Sequence, residues 1–226
     1  MKDPGIARRT RGQRVIYVVA RVFFTALSRV FWRASYNGLE HIPATGGFIL
    51  APVHRSNIDT FPMIGMTKRY MSFMGKDSLW KTRISAWFFT GLGGYPVKRG
   101  TADRQALKSC IEVVQRGEGL VLFPEGTRQF GPVVTPLFEG AAYVASKGNV
   151  PILPIGIGGS EQAMPKGSKL IYPAKLHYEI GPPIPPPRGE DGGRASRDQL
   201  HETTAVLKAE LQRVYDIARA KAGVKD

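Results

Sequence analysis

Three short apolar runs constrain this chain more than any other feature. They are "GFILAPV" at 47–53, "GLVLF" at 119–123 and "VPILPIGIGG" at 150–159. A strand with one wet face alternates apolar and polar residues. These runs do not alternate, so both of their faces must be covered, as in a parallel sheet. The segments between them have helical period, as in "TADRQALKSCIEVVQRG" and "FEGAAYVASKG". Weaker strand signals lie in "SYNGLEHIP", "RYMSFMGK", "YPVKRG" and "AKLHYEIG". A helix is expected from about Thr60, with Pro62 in its first turn, and "SLWKTRISAWFFTGLGG" reads as a further helix. Strands alternating with helices predict an α/β fold, a largely parallel mixed sheet flanked by helices. A chain of 226 residues suffices for one such core.

The ends differ from this pattern. "RVIYVVARVFFTALSRVFWR", Arg14 to Arg33, is apolar but interrupted by Arg21 and Arg29. A signal peptide has no such interruption. In a spanning helix each arginine would cost about 2.5–3.5 kcal/mol at the bilayer centre. At 100° per residue, Arg14, Arg21, Thr25, Ser28 and Arg29 share an arc of about 100°. Ile16, Val19, Phe23, Phe24, Leu27, Val30 and Phe31 lie opposite, with Tyr17 and Trp32 near the ends. Two placements follow: in the headgroup plane of an anionic membrane, or on the protein's own core with the arginines in water. In the first, Arg14, Arg21, Phe23, Phe24, Leu27, Arg29, Phe31 and Trp32 form a membrane-docking element. At the other end, "GPPIPPPRGEDGGRA" is a linker, and a long helix follows a Ser196–Gln199 capping box. The expected organisation is a basic amphipathic helix at 1–35, a central domain at 36–185, and a linker with a packed helix at 186–226.

The net charge is +14, and residues 1–33 carry eight Lys or Arg against one Asp. That excess calls for a phosphate- or carboxylate-rich partner: nucleic acid, anionic lipid or a polyanionic metabolite. The single cysteine, Cys110, allows neither an internal disulfide nor a cysteine-based metal site, and its apolar neighbours make it a buried structural residue.

Three stretches carry chemistry. In "HRSNID" (54–59), His54 closes a buried strand and Asp59 precedes a helix. On one continuous helix these positions point about 140° apart. Across a strand–turn–helix junction they can meet, and a carboxylate on one imidazole nitrogen leaves the other as a base. The alternative is that Asp59 caps the helix and His54 bonds locally. "FPEGTR" (123–128) ends another buried strand, where open α/β sheets place their sites. Glu125, Gly126, Thr127 and Arg128 offer there a carboxylate, a permissive backbone, a hydroxyl and a guanidinium fork, or form an ordinary loop with an ion pair. Lys98 and Arg99 in "YPVKRG" directly precede a helix, a position that suits phosphate, or they are simply solvated. His41, His177 and His201 lack comparable contexts and read as structural or surface residues.

With "GYPVKRG" at 94–100 and "VPILPI" at 150–155, these motifs in this order resemble the 1-acylglycerol-3-phosphate acyltransferases, over roughly residues 36–185. The resemblance implies that His54, oriented by Asp59, deprotonates the 2-hydroxyl of lysophosphatidic acid. That oxygen attacks the thioester of acyl-CoA or acyl-carrier protein, giving phosphatidic acid. It further implies that Lys98 and Arg99 bind the acceptor's phosphate, that Glu125, Gly126, Thr127 and Arg128 shape its site, and that no metal or bound cofactor is required. The expected setting is the cytoplasmic face of the cell membrane, with the protein peripheral or monotopic. The chain departs from the family twice. Val53 stands where Asn often precedes the histidine, and Phe138–Glu139 where many members have a lysine. The second departure leaves other glycerol-phosphate, lysophospholipid or glycolipid acceptors open. A thioester hydrolase would use the same base. A nucleic-acid-binding protein would explain the charge, but neither "HRSNID" nor "FPEGTR", and no recognised nucleic-acid-binding pattern is present.

Overall fold

The structure, a computed structural model, describes residues 10–97, 104–165, 167–189 and 193–224. Among these described residues, seven strands form one sheet in the order β1-β7-β6-β2-β5-β3-β4. They are β1 (Ser35–Asn37), β2 (Phe48–Pro52), β3 (Met71–Lys76), β4 (Gly94–Val97), β5 (Gly119–Val121), β6 (Ile152–Gly158) and β7 (His177–Ile180). Strands β2 to β6 are mutually parallel. β7 runs antiparallel to β6, and β1 pairs parallel with β7, so the sheet is mixed at that edge. The non-alternating runs have the expected cause, since every residue of β2 and β6 is buried. Phe48 and Leu50 enter the core on one face of the sheet, Ile49 and Ala51 the core on the other.

The helices are α1 (Arg11–Val30), α2 (Thr60–Ile64), α3 (Arg83–Gly91), α4 (Arg104–Gln115), α5 (Gly140–Gly148), α6 (Ser160–Ala163) and α7 (Arg197–Ala222). "SLWKTRISAWFFTGLGG" is not one helix. A 3-10 turn covers Asp77–Trp80, and α3 begins only after Thr82, whose side chain caps it. Both long helices open on reciprocal caps, Thr10 with Gln13 and Ser196 with Gln199. α7 lies along β6, where the backbones approach so closely that a Cβ on Gly156 would overlap Val214 O and one on Gly158 would overlap Ala218 O.

α1 corrects the sequence reading in its orientation. Gln13, Tyr17 and Ser28 are its buried residues, and Thr25 packs against Gly65. The Tyr17 hydroxyl accepts from Met71 N–H (2.8 Å), and Arg21 donates to Lys68 O (2.8 Å). Part of the polar arc therefore faces inward. Trp32, expected at the membrane, is 1% exposed in the core, and its Nε1 donates to Tyr172 O (3.2 Å). Phe24, Leu27 and Phe31 are partly buried against the same core, with Phe24 stacked on Phe61. Arg14, Phe23 and Arg29 are exposed, and so are Val15, Val18, Val19, Val22 and Val30. The neighbouring α3 leaves Ile84, Trp87 and Phe88 exposed. An apolar face thus points away from the core. Among the described residues, no helix is long and apolar enough to cross a membrane.

Candidate active site

The site follows from the register of β2 and β5. Leu50 lies opposite Val121, and the same offset carried four residues further along both segments sets His54 beside Glu125. The His54 backbone N–H indeed donates to Glu125 Oε2 (3.0 Å). Both motifs therefore meet at the carboxyl ends of adjacent parallel strands, where the chains splay into loops.

From there the chain turns back through Ser56 to Ile58. The His54 Nδ1 lies 2.9 Å from Asp59 Oδ2. The same oxygen accepts the backbone N–H groups of Arg55 (2.7 Å) and Ser56 (2.8 Å). Asp59 makes no side-chain cap to α2, so its carboxylate orients the turn and the imidazole instead. An ionised carboxylate only accepts, so Nδ1 carries the proton and Nε2 keeps its lone pair. The imidazole is partly exposed, whereas the carboxylate is wholly buried. The ring stacks on Phe123 with centroids 4.0 Å apart. The Tyr178 hydroxyl donates to Asp59 O (3.3 Å), and burial together with the Asp59 charge pushes its pKa well up.

Glu125 occupies a different place from the one its loop suggested. It is 2% exposed and fully engaged. Oε2 accepts from His54 N–H and Arg55 Nη1 (2.6 Å), and Oε1 from the Thr135 N–H and hydroxyl (3.1 Å each). It braces the two loops rather than facing solvent. Arg55, a spacer in the motif, is itself buried. Its Nε donates to the Tyr215 hydroxyl on α7 (3.1 Å), its Nη1 to His54 O and its Nη2 to Val133 O. Burial opposes its charge, but the Glu125 hydrogen bond and charge outweigh that, and its pKa is raised. Sequence reasoning missed Arg55, Thr135 and Tyr215. A cation directly after a buried run was the one available signal, since a buried guanidinium requires a carboxylate partner.

Gly126, Thr127 and Arg128 are exposed on the turn after Glu125. Gly126 has φ +71°, and a Cβ there would overlap the Phe138 ring, so glycine is required twice over. Among the described residues the Arg128 guanidinium has no hydrogen-bonding or ionic partner. Phe138 is exposed, while Glu139 pairs with His201 (3.3 Å). Val53 points into the core, away from the site. Lys98 and Arg99 lie outside the described residues. Among the described residues, no group of His, Cys, Asp and Glu is arranged to hold a metal ion.

The structure is that of an α/β protein with a mixed sheet and a carboxylate-bonded imidazole at its strand ends. The particular family follows from comparison. The Acyltransferase family model matches residues 33–158, more than half of the chain, and the chain belongs to that family. It is 28% identical over 158 residues to a chloroplastic 1-acyl-sn-glycerol-3-phosphate acyltransferase of Brassica napus, covering 69% of this chain and 46% of that one. A 1-acyl-sn-glycerol-3-phosphate acyltransferase of Bacillus subtilis is 28% identical over 174 residues, 76% of this chain and 83% of the relative. The chain spans less than half the length of the chloroplastic relatives from Brassica napus and Arabidopsis thaliana. Among solved structures, the 1-acyl-sn-glycerophosphate (LPA) acyltransferase PlsC of Thermotoga maritima superposes with a TM-score of 0.72. The two chains are 25% identical, with 94% of this chain and 85% of the other covered.

Proposed function

We propose that this protein transfers a fatty acyl group from an acyl-CoA or acyl-carrier-protein thioester to the 2-hydroxyl of lysophosphatidic acid, forming phosphatidic acid. The observation that carries this reading is the His54 Nδ1–Asp59 Oδ2 contact of 2.9 Å, which leaves Nε2 as the base. The names of the relatives supply the substrates. Nε2 takes the hydroxyl proton as the oxygen attacks the thioester carbonyl. The tetrahedral intermediate collapses, the C–S bond breaks, and His54 returns the proton to the leaving thiolate. His54 and Asp59 are the catalytic residues in this scheme. Lys98, Arg99 and Arg128 bind the acceptor's phosphate, and Gly126 and Thr127 shape the approach to it. Glu125 acts through the loops it braces.

The acceptor and the product are membrane lipids, and the exposed apolar faces of α1 and α3 suit docking in the headgroup plane of an anionic bilayer. This corresponds to a peripheral or monotopic enzyme on the cytoplasmic face. Phe138, exposed where the family resemblance implies a lysine, supports a second reading in which the acceptor is a different lysophospholipid, glycerol phosphate or glycolipid.

One assay tests these readings. Purified protein receives acyl-CoA or acyl-carrier protein with lysophosphatidic acid and, separately, the other acceptors, and thiol release and lipid product are measured. Acceptor-dependent release giving phosphatidic acid is expected, with His54→Ala losing it. Release without acceptor would mark a hydrolase, and a fully active His54→Ala variant would overturn the assignment of the base.

A further inference from the structure

The segment between α6 and β7 carries an apolar projection separate from the helices. Leu170 is 66% exposed, and Ile171 and Tyr172 beside it are exposed as well. Residues 165–176, "PKGSKLIYPAKL", hold three lysines and no carboxylate. Consecutive large apolar side chains in water, flanked by cations alone, mark a surface meant to be covered.

The base of this projection is fixed. Tyr172 N–H donates to Ala163 O (2.8 Å), Trp32 Nε1 to Tyr172 O (3.2 Å) and Leu176 N–H to Trp32 O (3.0 Å). At the tip, the Ser168 hydroxyl accepts Leu170 N–H (3.0 Å) and donates to Leu170 O (2.9 Å). Local pairing of these backbone groups lowers the cost of withdrawing the tip from water. The segment is also tied to the site, since the Ser56 hydroxyl donates to Met164 O (3.0 Å). The end of α1 abuts the same segment through Trp32, and there Val30, Arg29 and Arg33 are exposed.

We propose that Leu170, Ile171 and Tyr172 insert into the headgroup–acyl boundary of an anionic bilayer, a third contact at the end of α1 that shares this segment with the catalytic turn. The proposal rests on the membrane-surface function above. A bilayer is the occupant because three consecutive large apolar side chains are exposed, because the charges of their segment are all cationic, and because that segment is bonded to Trp32, just past the exposed Val30 at the end of α1. The acceptor would then leave the membrane beside the loop that touches Ser56.

Site-directed spin labelling reads this directly. Cys110 is fully buried, and burial pushes its thiol up to about 11, so it resists labelling in the folded protein. Labels are placed singly by Ile171→Cys, by Phe23→Cys on α1 and by Gln115→Cys, an exposed control on α4. Phosphatidylglycerol-rich vesicles are added, and collision rates with oxygen and with a water-soluble nickel chelate are compared. Expected is a gain in the oxygen-to-nickel ratio at positions 171 and 23, none at 115, and a smaller gain with neutral phosphatidylcholine vesicles. Insertion at 23 with position 171 left in water would overturn this proposal and leave helix docking intact. Insertion at neither would overturn both. Spin–spin broadening at 171 without lipid would assign the projection to a second copy of the chain. Protection of 171 by acyl-carrier protein, with no oxygen gain on vesicles, would assign it to the donor. Either result overturns the proposal. Replacing Leu170 and Ile171 by Ser should lower vesicle partitioning about tenfold.

Discussion

Asp59→Asn keeps the shape of the carboxylate and removes its charge, which separates orientation from folding. Asp59 Oδ2 accepts from His54 Nδ1, Arg55 N–H and Ser56 N–H. An asparagine oxygen can still hold the two backbone groups, but it no longer selects one imidazole tautomer or stabilises the imidazolium. Acyl transfer should fall by about 10²–10⁴-fold, while circular dichroism shows a retained fold. Glu125→Gln should do the reverse in emphasis. It strands Arg55 in the interior, a cost of about 3–5 kcal/mol, or roughly 10 °C of melting temperature for a domain of this size. An unchanged melting curve with lost activity would make Glu125 a substrate ligand instead of a brace. The strand–turn–helix pattern allowed the contact between His54 and Asp59 but left a helix cap at Asp59 equally open, and it was the order of the four motifs that favoured the contact. The burial of Glu125 was not legible in the chain, because "EGTR" has the composition of an exposed loop. Its partners Arg55 and Thr135 lie 70 and 10 residues away along the chain, and Tyr215, which holds Arg55, lies 160 residues from it, beyond the reach of any local pattern.

Between elements of the described residues, the most extensive contact is that of β6 with α7. Gly156→Ala would press a methyl group into Val214 O and Tyr215 Cα. The helix has to retreat, and with it the Tyr215 hydroxyl that holds Arg55. A loss of about 1–3 kcal/mol is expected, read by denaturant unfolding, together with reduced acyl transfer. The two strands at the mixed end of the sheet make a second joint. His177 on β7 shares a hydrogen bond with the Ser35 hydroxyl on β1 through Nδ1 (2.7 Å) and with Glu179 through Nε2 (2.9 Å), and Lys221 on α7 donates to Glu179 (3.0 Å). Burial lowers the His177 pKa from its ordinary 6.5, so the unfolded chain binds that proton first. For Glu179, burial acts upward, but the hydrogen bonds from His177 and Lys221 prevail and lower its pKa from 4.5. The stability from both groups is therefore present at neutral pH and is lost on acidification: below pH 6.5 for His177, and further down, below the ordinary carboxylate value, for Glu179. Melting temperature should fall as pH drops through this range, and His177→Gln should flatten the upper part of the slope. The parallel centre of the sheet was readable from its continuous apolar runs. The antiparallel turn of β7 was not, because "AKLHYEIG" says that a strand exists and nothing about its direction.

At the scale of the whole molecule, the question is which face of α1 is dry. Periodicity divided the helix into two faces without saying which meets the core, and several of its polar residues proved to be the inner ones. Ser28 and Thr25 bond to carbonyls one turn back, Phe24 O and Arg21 O, so their hydroxyls are satisfied against the core. The valines and Phe23 are left outside, next to Ile84, Trp87 and Phe88 of α3. Together with the basic excess of the first 33 residues, this arrangement favours an anionic surface. It also makes the docking face separable from stability, because side chains already in water contribute little to folding. Phe23→Asp combined with Trp87→Asp should lower partitioning onto phosphatidylglycerol-rich vesicles by on the order of 10²-fold, with the melting temperature nearly unchanged. Raising the salt concentration should weaken binding of the parent protein through its arginines and leave the apolar share. A large fall in melting temperature in the double variant would instead place these side chains in the fold, and vesicle binding that persisted undiminished would remove α1 and α3 from the membrane contact.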